Sequence, residues 1–338
     1  MPLTRGVRSR SKVNNNLLEI KKLKTYFFTA KGVVKAVDGV SFALRKGENL
    51  CLVGETGCGK TATALSILRL IDSPPGRIVG GEIWYQGEDL LKCSSERLRQ
   101  IRGDRIAMIF QDPQSSLNPV FTVGDQIAEP IKLHLKLGHK QAMERSLHLM
   151  EQVGIPRAKE RMKDYPHQFS GGMRQRVMIA AALSCNPEIL IADEPTTALD
   201  ATIKDQILDI LRDLKQKRDM SVLFITHDLG TVASIADRVV VMYGGRIAEA
   251  GTVFDIFDQP KHPYTVGLIN CLPSISIRKG RLTPIPGMIP SLINPPEGCI
   301  FAPRCPKRMP VCGEVRPEEV VISGEHVVAC HLYSKILV

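Results

Sequence analysis

The stretch Gly54-Glu55-Thr56-Gly57-Cys58-Gly59-Lys60-Thr61 decides the fold, because it matches the phosphate-binding pattern G-x-x-x-x-G-K-[ST]. An apolar run at 50–53 precedes it, and a segment with helical character follows it at 62–71. The pattern needs this order of strand, glycine-rich loop and helix, since the loop N–H groups then surround phosphates at a helix N-terminus. The stretch therefore predicts a nucleotide site in an α/β protein.

Two side chains of the stretch have distinct predicted roles. Lys60 is expected to contact the terminal phosphates, and the hydroxyl of Thr61 to ligate Mg²⁺. The predicted nucleotide-binding residues of the loop and the helix start are Gly54, Glu55, Thr56, Gly57, Cys58, Gly59, Lys60, Thr61 and Ala62. Cys58 carries a separate hypothesis: a helix N-terminus lowers the pKa of its thiol, so that oxidation or alkylation blocks nucleotide binding. The alternative is an inert residue that fills a small space.

A carboxylate pair, Asp193-Glu194, ends a second apolar run at 189–192. Asp193 is expected to hold Mg²⁺, directly or through water, and Glu194 to polarise the attacking water. Many strands end in solvated acids, so the pair alone says little. Downstream of a phosphate-binding loop it predicts nucleotide hydrolysis.

Composition limits the remaining classes of protein. The 338 residues are 43% hydrophobic, which suits about two domains with a large core, and only 5% aromatic, which argues against stacked platforms for single-stranded nucleic acid. No apolar run approaches the ~20 residues that span a bilayer, and the basic N-terminus lacks the apolar stretch of a secretory signal. We therefore expect a soluble, cytosolic protein. The net charge of +10 suits phosphate-rich ligands or an anionic membrane surface, while acids interleaved with the basic residues disfavour nucleic acid.

The chain is expected to divide into three parts. Residues 1–16 form a basic, disordered lead-in; residues 17–270 form a nucleotide-binding domain with a helical subdomain at about 112–187; residues 271–338 form a cysteine-rich domain. Strands that alternate with helices predict a largely parallel sheet. The proline-rich C-terminal part has few helix formers, so it needs some staple in order to fold.

Four of the nine cysteines crowd the last forty residues, at the spacing C-x5-C-x6-C-x17-C. They are Cys299, Cys305, Cys312 and Cys330. Without a secretory signal a disulfide framework is not expected, so the cluster suggests a metal or iron–sulfur site. Neither the close pairs of structural zinc sites nor the usual ferredoxin spacings are present, and the spacing leaves iron–sulfur, zinc, free thiols and a single disulfide open.

Five segments, in this order, closely resemble the nucleotide-binding subunit of ABC transporters. They are GETGCGKT at 54–61, FQDPQSSLNP at 110–119, FSGGMRQR at 169–176, ILIADEPTTALD at 189–200 and FITHD at 224–228. The resemblance implies a P-loop NTPase with a RecA-like core of mostly parallel sheet, an antiparallel β subdomain and an inserted helical subdomain. It also implies an ATPase in which two subunits sandwich two ATP molecules.

The same resemblance implies roles for single residues. Gln111 would sense and ligate Mg²⁺ and respond to the permease, and His227 would be the switch histidine. Asp200 would end the loop that crosses to the opposite subunit. Phe27, or the adjacent Tyr26, would stack on adenine.

A further motif, Ser170-Gly171-Gly172, would contact the γ-phosphate bound by the opposite subunit. Phe169 and Met173 replace the commonest leucine and glutamine beside it, but the anion-binding part is intact. All the catalytic side chains that the family uses are present, so the resemblance implies an active enzyme.

The C-terminal part resembles more narrowly the ATPases of dipeptide and oligopeptide importers. The segments that carry this resemblance are HPYT at 262–265, IPG at 285–287, GCIFAPRCP at 298–306 and CH at 330–331. It implies a peripheral subunit on the cytoplasmic face of the membrane, with two transmembrane permeases, a paralogous ATPase or a second copy, and, indirectly, an extracytoplasmic binding protein. It also implies a 4Fe-4S cluster on the four cysteines, with zinc as the alternative.

Three alternative functions differ from a peptide-importer ATPase in the class of protein or in the transported solute. An importer ATPase for another small solute, such as a nickel chelate, remains open, because the binding protein and permease select the cargo. A soluble ABC ATPase acting on nucleic acid or ribosomes is disfavoured, because the chain has one cassette and a short insertion. A redox sensor built on the cysteine region is disfavoured as the main role by the intact Asp193-Glu194 pair.

Overall fold

Two β-sheets form the frame of the protein, in a computed structural model that describes residues 15–197, 200–272 and 284–334. The predicted lead-in therefore lies almost wholly outside the described residues. The strands are β1 (Asn16–Thr29), β2 (Gly32–Arg45), β3 (Asn49–Val53), β4 (Gly76–Tyr85), β5 (Glu88–Asp89), β6 (Ile106–Ile109), β7 (Ile189–Asp193), β8 (Ser221–Thr226), β9 (Arg238–Tyr243), β10 (Arg246–Thr252), β11 (Glu319–Ser323) and β12 (His326–Ala329).

Helices cover both faces of the larger sheet and fill the connections between its strands. They are α1 (Lys60–Ile67), α2 (Ser95–Ile101), α3 (Pro113–Ser116), α4 (Val123–Leu135), α5 (His139–Gln152), α6 (Ala158–Arg161), α7 (Gly171–Ala182), α8 (Ala201–Arg218), α9 (Leu229–Ile235), α10 (Val253–Asp258), α11 (Pro263–Asn270) and α12 (Val311–Glu314).

The larger sheet has the strand order β11-β12-β10-β9-β3-β8-β7-β6. All pairs from β9 to β6 are parallel, and the pairs from β9 to β11 are antiparallel. The smaller sheet, β2-β1-β4-β5, is antiparallel throughout. The predicted fold class, a mostly parallel core with an antiparallel β subdomain, is confirmed.

The central strands are apolar along their whole length because both of their faces are buried. In β3, Cys51 and Val53 pack into the core that the inserted helices share, whereas Leu50 and Leu52 pack towards the smaller sheet. Alternate residues point to opposite faces of a strand, so one uninterrupted apolar run serves two layers. This arrangement fixes β3 in the middle of the sheet. The loop that follows β3 therefore lies at the end of the sheet where the parallel strands have their carboxyl ends.

Helices α3 to α7 lie between β6 and β7 in the chain, as the predicted helical insertion requires. Gly138 separates α4 from α5, and Pro130 lies inside α4 without interrupting it. The helix continues because Ile127 and Ile131, on either side of the proline, are fully buried in the core. Packing there outweighs the local cost of a proline inside a helix.

The C-terminal region adds strands to the main sheet. Strand β12 pairs with β10 through Glu249 and Ala250, and β11 pairs with β12. Between 284 and 318 the only regular elements are a 3-10 turn, Ala302–Arg304, and α12. The predicted boundary at 270/271 stays a prediction.

Within the described ranges, no helix is both long enough and apolar enough to cross a membrane.

Candidate nucleotide site

The glycine-rich loop has a shape that two of its glycines make possible. Gly54 has φ +152° and Gly59 has φ +103°, a backbone region that other residues rarely adopt. A Cβ at Gly54 would lie 2.2 Å from the carbonyl oxygen of Met242, and one at Gly59 would lie 2.2 Å from that of Ala36. The main sheet and β2 therefore hold the loop close on both sides.

Lys60 begins α1, and its side chain folds back into the loop. Its Nζ donates hydrogen bonds to the carbonyl oxygens of Gly54 at 2.8 Å and Glu55 at 3.1 Å, and the residue is 5% exposed. The ammonium group therefore lies inside the curve of the loop, where it can neutralise a bound anion. Thr56 and Gly57 are exposed on the outer part of the loop.

Cys58 also lies in the loop, where it is buried. Its thiol does not have the lowered pKa that a reactive cysteine was expected to have. Burial raises the pKa of its thiol, and the positive charge of Lys60 only partly offsets this. The hypothesis of a lowered thiol pKa is therefore wrong. Backbone hydrogen bonds from Lys60, at the helix N-terminus, and from Cys58 itself also lower the pKa of this thiol, but burial outweighs them.

Asp193, at the end of β7, lies beside Thr61. The hydroxyl Oγ1 of Thr61 donates to Oδ1 of Asp193 at 3.3 Å, while Oδ2 of Asp193 is buried and has no hydrogen-bond partner. Burial, and then the negative charge of Glu194, raises the pKa of Asp193 to about 6. An unpartnered carboxylate oxygen in a dry position is costly unless a cation satisfies it.

Glu194 receives three hydrogen bonds, one from a side chain of its own loop and two from side chains that follow β6 and β8. Gln111 Nε2 and Thr197 Oγ1 donate to Oε2 at 3.1 and 2.9 Å, and His227 Nδ1 lies 3.1 Å from Oε1. Burial by itself raises the pKa of Glu194, but these bonds outweigh it and the net shift is downward. Glu194 also has a positive φ of 47°, a strained backbone conformation that is common at functional sites.

The parallel strands explain why these residues meet. Strands β3, β7 and β8 run side by side in the same direction, so the loops that follow them emerge at one edge of the sheet. The loop after β3 carries Lys60 and Thr61, the end of β7 carries Asp193 and Glu194, and the loop after β8 carries His227.

Other predicted nucleotide contacts lie apart from this group. Ser170 is exposed and caps α7 by accepting from the N–H of Met173, and Asp200 caps α8 by accepting from the N–H of Ile203. A Cβ at Gly171 would meet nothing within 4 Å, whereas one at Gly172 would lie 2.9 Å from Ile203. The hydrogen bonds found for Ser170 and Asp200 in the described part of the chain are these local caps.

The two aromatic candidates for adenine stacking differ in their surroundings. Tyr26 donates its hydroxyl proton to Asp38 at 2.8 Å, and burial together with this carboxylate raises the pKa of Tyr26 to about 12. Phe27 is half-buried on β1, and its ring lies against Gly76. The role of Phe27 stays a prediction.

The four clustered cysteines are free thiols, with Cys312 and Cys330 buried and Cys299 and Cys305 half-buried. The N–H of Cys299 donates to the carbonyl oxygen of Cys312 at 2.9 Å. Burial raises the pKa of Cys330 to about 11, although a backbone hydrogen bond from Leu332 partly offsets it. Within the described ranges, no three His, Cys, Asp or Glu side chains are grouped so as to hold a metal ion. The predicted cluster ligation is therefore not supported by this geometry.

Three residues of the site were not predicted from the sequence. Thr197 lies within the quoted segment 189–200, and its spacing from Glu194 could have suggested a hydrogen bond. Tyr264 and Arg304 contact Glu55 of the loop from more than 200 positions away. No local sequence signal points to such contacts.

Comparisons with known proteins agree with the geometry. Residues 37–197 match the ABC transporter family, and residues 248–312 match the family described as the C-terminal region of oligopeptide/dipeptide transporters. The chain is 51% identical over 316 residues, 94% of each chain, to the dipeptide transport ATP-binding protein DppD of Bacillus subtilis. It is 50% identical over 321 residues to the oligopeptide transport ATP-binding protein AppD of the same organism, covering 95% of this chain and 98% of that one.

Solved structures share the fold of the nucleotide-binding part. The dimeric structure of MJ0796, a bacterial ABC transporter cassette, superposes with a TM-score of 0.63 at 25% identity, covering 70% of this chain and 98% of that one. CbiO1 from Clostridium perfringens, part of the cbiONQ ABC transporter complex, gives a TM-score of 0.62 and covers 79% of this chain and 100% of that one. By its sequence relatives, its cassette fold and its site, the chain belongs to the ATP-binding proteins of the peptide ABC transporter family, whose ATPase activity is coupled to transport.

Proposed function

We propose that this chain binds Mg²⁺–ATP in the loop 54–61 and hydrolyses it to drive the import of dipeptides or oligopeptides. One observation supports the catalytic part of this proposal. The unpartnered oxygen of Asp193 and the carboxylate of Glu194, which receives three hydrogen bonds, lie at the same end of the sheet as the phosphate-binding loop. Support for a peptide cargo comes from the names of the relatives and from the match of residues 248–312.

The residues around Asp193 fit a magnesium ion. Oδ2 of Asp193 is buried without a partner, and the Thr61 hydroxyl is adjacent. Magnesium prefers such oxygen ligands, and when bound with ATP it neutralises phosphate charge. Thr61 and Asp193 would hold the ion, with Gln111 as the third ligand that the family resemblance implies. Lys60 would hold the terminal phosphates from inside the loop.

Glu194 is suited to orienting the water that attacks the γ-phosphate. Its lowered pKa keeps it ionised at neutral pH, so it can accept a hydrogen bond from water. Gln111 follows β6 and His227 follows β8, the two strands that flank β7, and each holds one carboxylate oxygen of Glu194. Phosphoryl transfer depends mainly on such positioning and charge, so these contacts are the part of catalysis that this chain supplies.

A second ATPase subunit, a paralogue or another copy of this chain, would complete the site. The motif Ser170–Gly172 lies at the N-terminus of α7, a 12-residue helix, with Ser170 exposed and open space beside Gly171. A helix N-terminus attracts anions, so this surface can bind the γ-phosphate of ATP held by a partner. The related cassette MJ0796 is described as a dimer.

The permease partners would dock in a groove of about 430 Å³ beside the helical insertion. Its walls include Phe110 and Leu133, which are 40% and 57% exposed. Apolar side chains exposed together are typical of a surface that a partner covers. Phe110 directly precedes Gln111, which donates a hydrogen bond to Glu194. A permease helix bound in the groove could therefore shift Gln111 and so affect Glu194. This docking would place the subunit on the cytoplasmic face of the membrane and leave the extracytoplasmic binding protein an indirect partner.

The four cysteines are proposed to bind a 4Fe-4S cluster, with zinc as the alternative. Support comes from the sequence clustering of Cys299, Cys305, Cys312 and Cys330 and from the backbone hydrogen bond that joins Cys299 to Cys312. As placed, they do not form a ligand group. Cluster ligation would require them to move closer together and lose their protons.

The direct test of the proposed hydrolysis site is Glu194→Gln. The amide keeps the size of the side chain but cannot orient water as a carboxylate does, so we expect ATP turnover to fall about 100-fold or more while ATP binding remains. Turnover is measured by phosphate release and binding by equilibrium titration. The matched control is Glu151→Gln on the exposed face of α5.

Retained turnover in Glu194→Gln would refute the role of Glu194. The same variant tests the partner surface, because blocked hydrolysis should trap an ATP-dependent dimer that is visible by size-exclusion chromatography. Adding Ser170→Arg to Glu194→Gln should abolish that dimer, since a long side chain would fill the space beside Gly171. A dimer that persists would contradict the assignment of Ser170–Gly172.

A further inference from the structure

Arg304 joins the C-terminal region to the phosphate-binding loop. Its guanidinium makes a two-pronged ion pair with the carboxylate of Glu55, with Nη1 to Oε2 at 2.7 Å and Nη2 to Oε1 at 3.1 Å. The remaining N–H groups donate to Tyr243 Oη at 3.2 Å and to the carbonyl oxygens of Pro286 and Ile285 at 3.0 and 3.3 Å. All five guanidinium donors therefore have acceptors.

Glu55 is held at its backbone as well as at its side chain. Its N–H donates to the hydroxyl of Tyr264 at 2.9 Å, and Tyr264 is fully buried at the start of α11. Glu55 is the second residue of the loop, between Gly54 and Thr56. Both groups of Glu55 are thus fixed by residues from the C-terminal side of the chain.

The support behind Arg304 is rigid. Arg304 is 5–7% exposed, and its guanidinium lies 5.7 Å from the ring centre of Tyr243. The rings of Tyr243, Tyr264 and Phe301 pack together with centroids 4.6 to 5.4 Å apart. Phe301 lies three residues before Arg304, so one short stretch of the C-terminal region supplies one ring of this cluster and the cation of the ion pair.

The charge of Glu55 is unfavourable in a loop that binds phosphates. A carboxylate near the phosphates of ATP repels them, and the repulsion is strong in a partly desolvated site. Its side chain is 25% exposed, so water screens it only in part. Arg304 is the cation that faces it, and a guanidinium paired through two parallel bonds stays in place.

We propose that Arg304 is a positioning residue for ATP binding, which neutralises Glu55 and holds the phosphate-binding loop against the C-terminal region. The affinity of the loop for ATP then depends on how residues 284–306 are docked. This inference rests on the proposed binding of ATP at 54–61, and it adds a contribution from a part of the chain outside the cassette motifs.

Three variants test the proposal: Arg304→Met, Glu55→Gln and the double variant. In Arg304→Met the unpaired carboxylate should raise the Kd for ATP about tenfold, and the KM should rise with it while kcat changes by less than about twofold. The double variant removes both charges and should restore the Kd to within about threefold of wild type. Arg308→Met, an exposed arginine of the same region, is the matched control.

Two readouts separate charge neutralisation from simple loosening of the fold. The affinity defect of Arg304→Met should shrink as ionic strength rises from about 0.05 to 0.5 M, because salt screens the repulsion. Thermal unfolding reports stability independently, and a merely structural defect would not be rescued by Glu55→Gln. An unchanged Kd in Arg304→Met, or a double variant that binds as weakly as Arg304→Met, would overturn the proposal.

A further pair of variants covers the remaining outcomes. Should Arg304→Met fail to fold, Arg304→Lys keeps the charge but loses the two parallel bonds, so the Kd should rise measurably but by less than about tenfold; a Kd equal to that of wild type, or a loss that Glu55→Gln does not relieve, would overturn the proposal. Lys60→Ala, measured alongside, should abolish ATP binding. Failure of the wild type itself to bind ATP would overturn the nucleotide site and this inference together, whereas normal wild-type binding with an unchanged Arg304→Met overturns the inference alone.

Discussion

The phosphate-binding loop and the cysteine-rich region are neighbours in the fold, yet they differ in how far each is organised without a ligand. The loop is fixed by backbone constraints at Gly54 and Gly59 and by the hydrogen bonds of Lys60. The cysteine-rich region holds four free thiols, among them Cys299 and Cys330, which do not form a ligand group within the described residues.

The difference shows what each kind of site requires from the polypeptide. A phosphate site uses N–H groups whose directions are set once the loop conformation is set, so packing against the sheet is enough to build it. A thiolate site has charged ligands that repel each other until a metal neutralises them, so metal binding and local folding are coupled. The two regions still share a boundary, where Arg304 meets Glu55.

The largest expected effect concerns metal content. Protein purified anaerobically should carry about four iron and four acid-labile sulfide per chain, since a 4Fe-4S cluster on four cysteines has that stoichiometry. Cys330→Ser should lose most of both, while Cys93→Ser, a half-buried cysteine outside the cluster, should lose neither. Zinc would favour the alternative metal, and a metal-free wild type would withdraw both. Elemental analysis and the visible absorption spectrum give the result.

An intermediate effect concerns the boundary between the two regions. Burial lowers the pKa of His262 to about 4, against 6.5 in an unfolded chain, and its Nδ1 accepts from the N–H of Tyr264. The folded protein thus keeps this histidine neutral where the unfolded chain is protonated. Its contribution to stability is complete above pH 6.5 and is lost as the pH falls from about 6.5 to 4, by about 3 kcal/mol in total.

The measurement is urea unfolding between pH 7.5 and 4 for wild type and His262→Asn. The asparagine can still cap α11 but does not titrate, so the loss of stability on acidification should be smaller in the variant. His139→Asn, at an exposed position of α5, should follow the wild type. Parallel pH profiles of His262→Asn and wild type would show that His262 is not held neutral.

The smallest effect should come from a surface remote from both regions. Leu133→Glu places a charge in the proposed permease groove, so we expect a few-fold loss of ATPase stimulation by the permeases in reconstituted membranes. ATP affinity and metal content should not change. Phe254→Glu, at an exposed apolar position on α10, is the control. Full stimulation of Leu133→Glu would remove the groove as the docking site.

Much of the site could be predicted because its parts are local motifs on parallel strands. Each of the segments around Lys60, Asp193 and His227 specifies its own strand and turn, and parallel strands bring their carboxyl ends together. The sequence left two interpretations of Cys58 open, a reactive thiol and an inert residue, because it shows the nearby helix N-terminus but not the burial that raises the pKa of the thiol.

The sequence by itself determined the order of strands and helices, the glycines that allow the loop, and the identity of the phosphate-binding residues and of the carboxylate pair. Local sterics and side-chain chemistry fix these features within a few residues. Only the tertiary structure decided that Gln111 and His227 converge on Glu194, and that Arg304 and Tyr264 hold Glu55. Contacts between residues far apart in the chain depend on how the layers pack, and packing is a property of the whole fold.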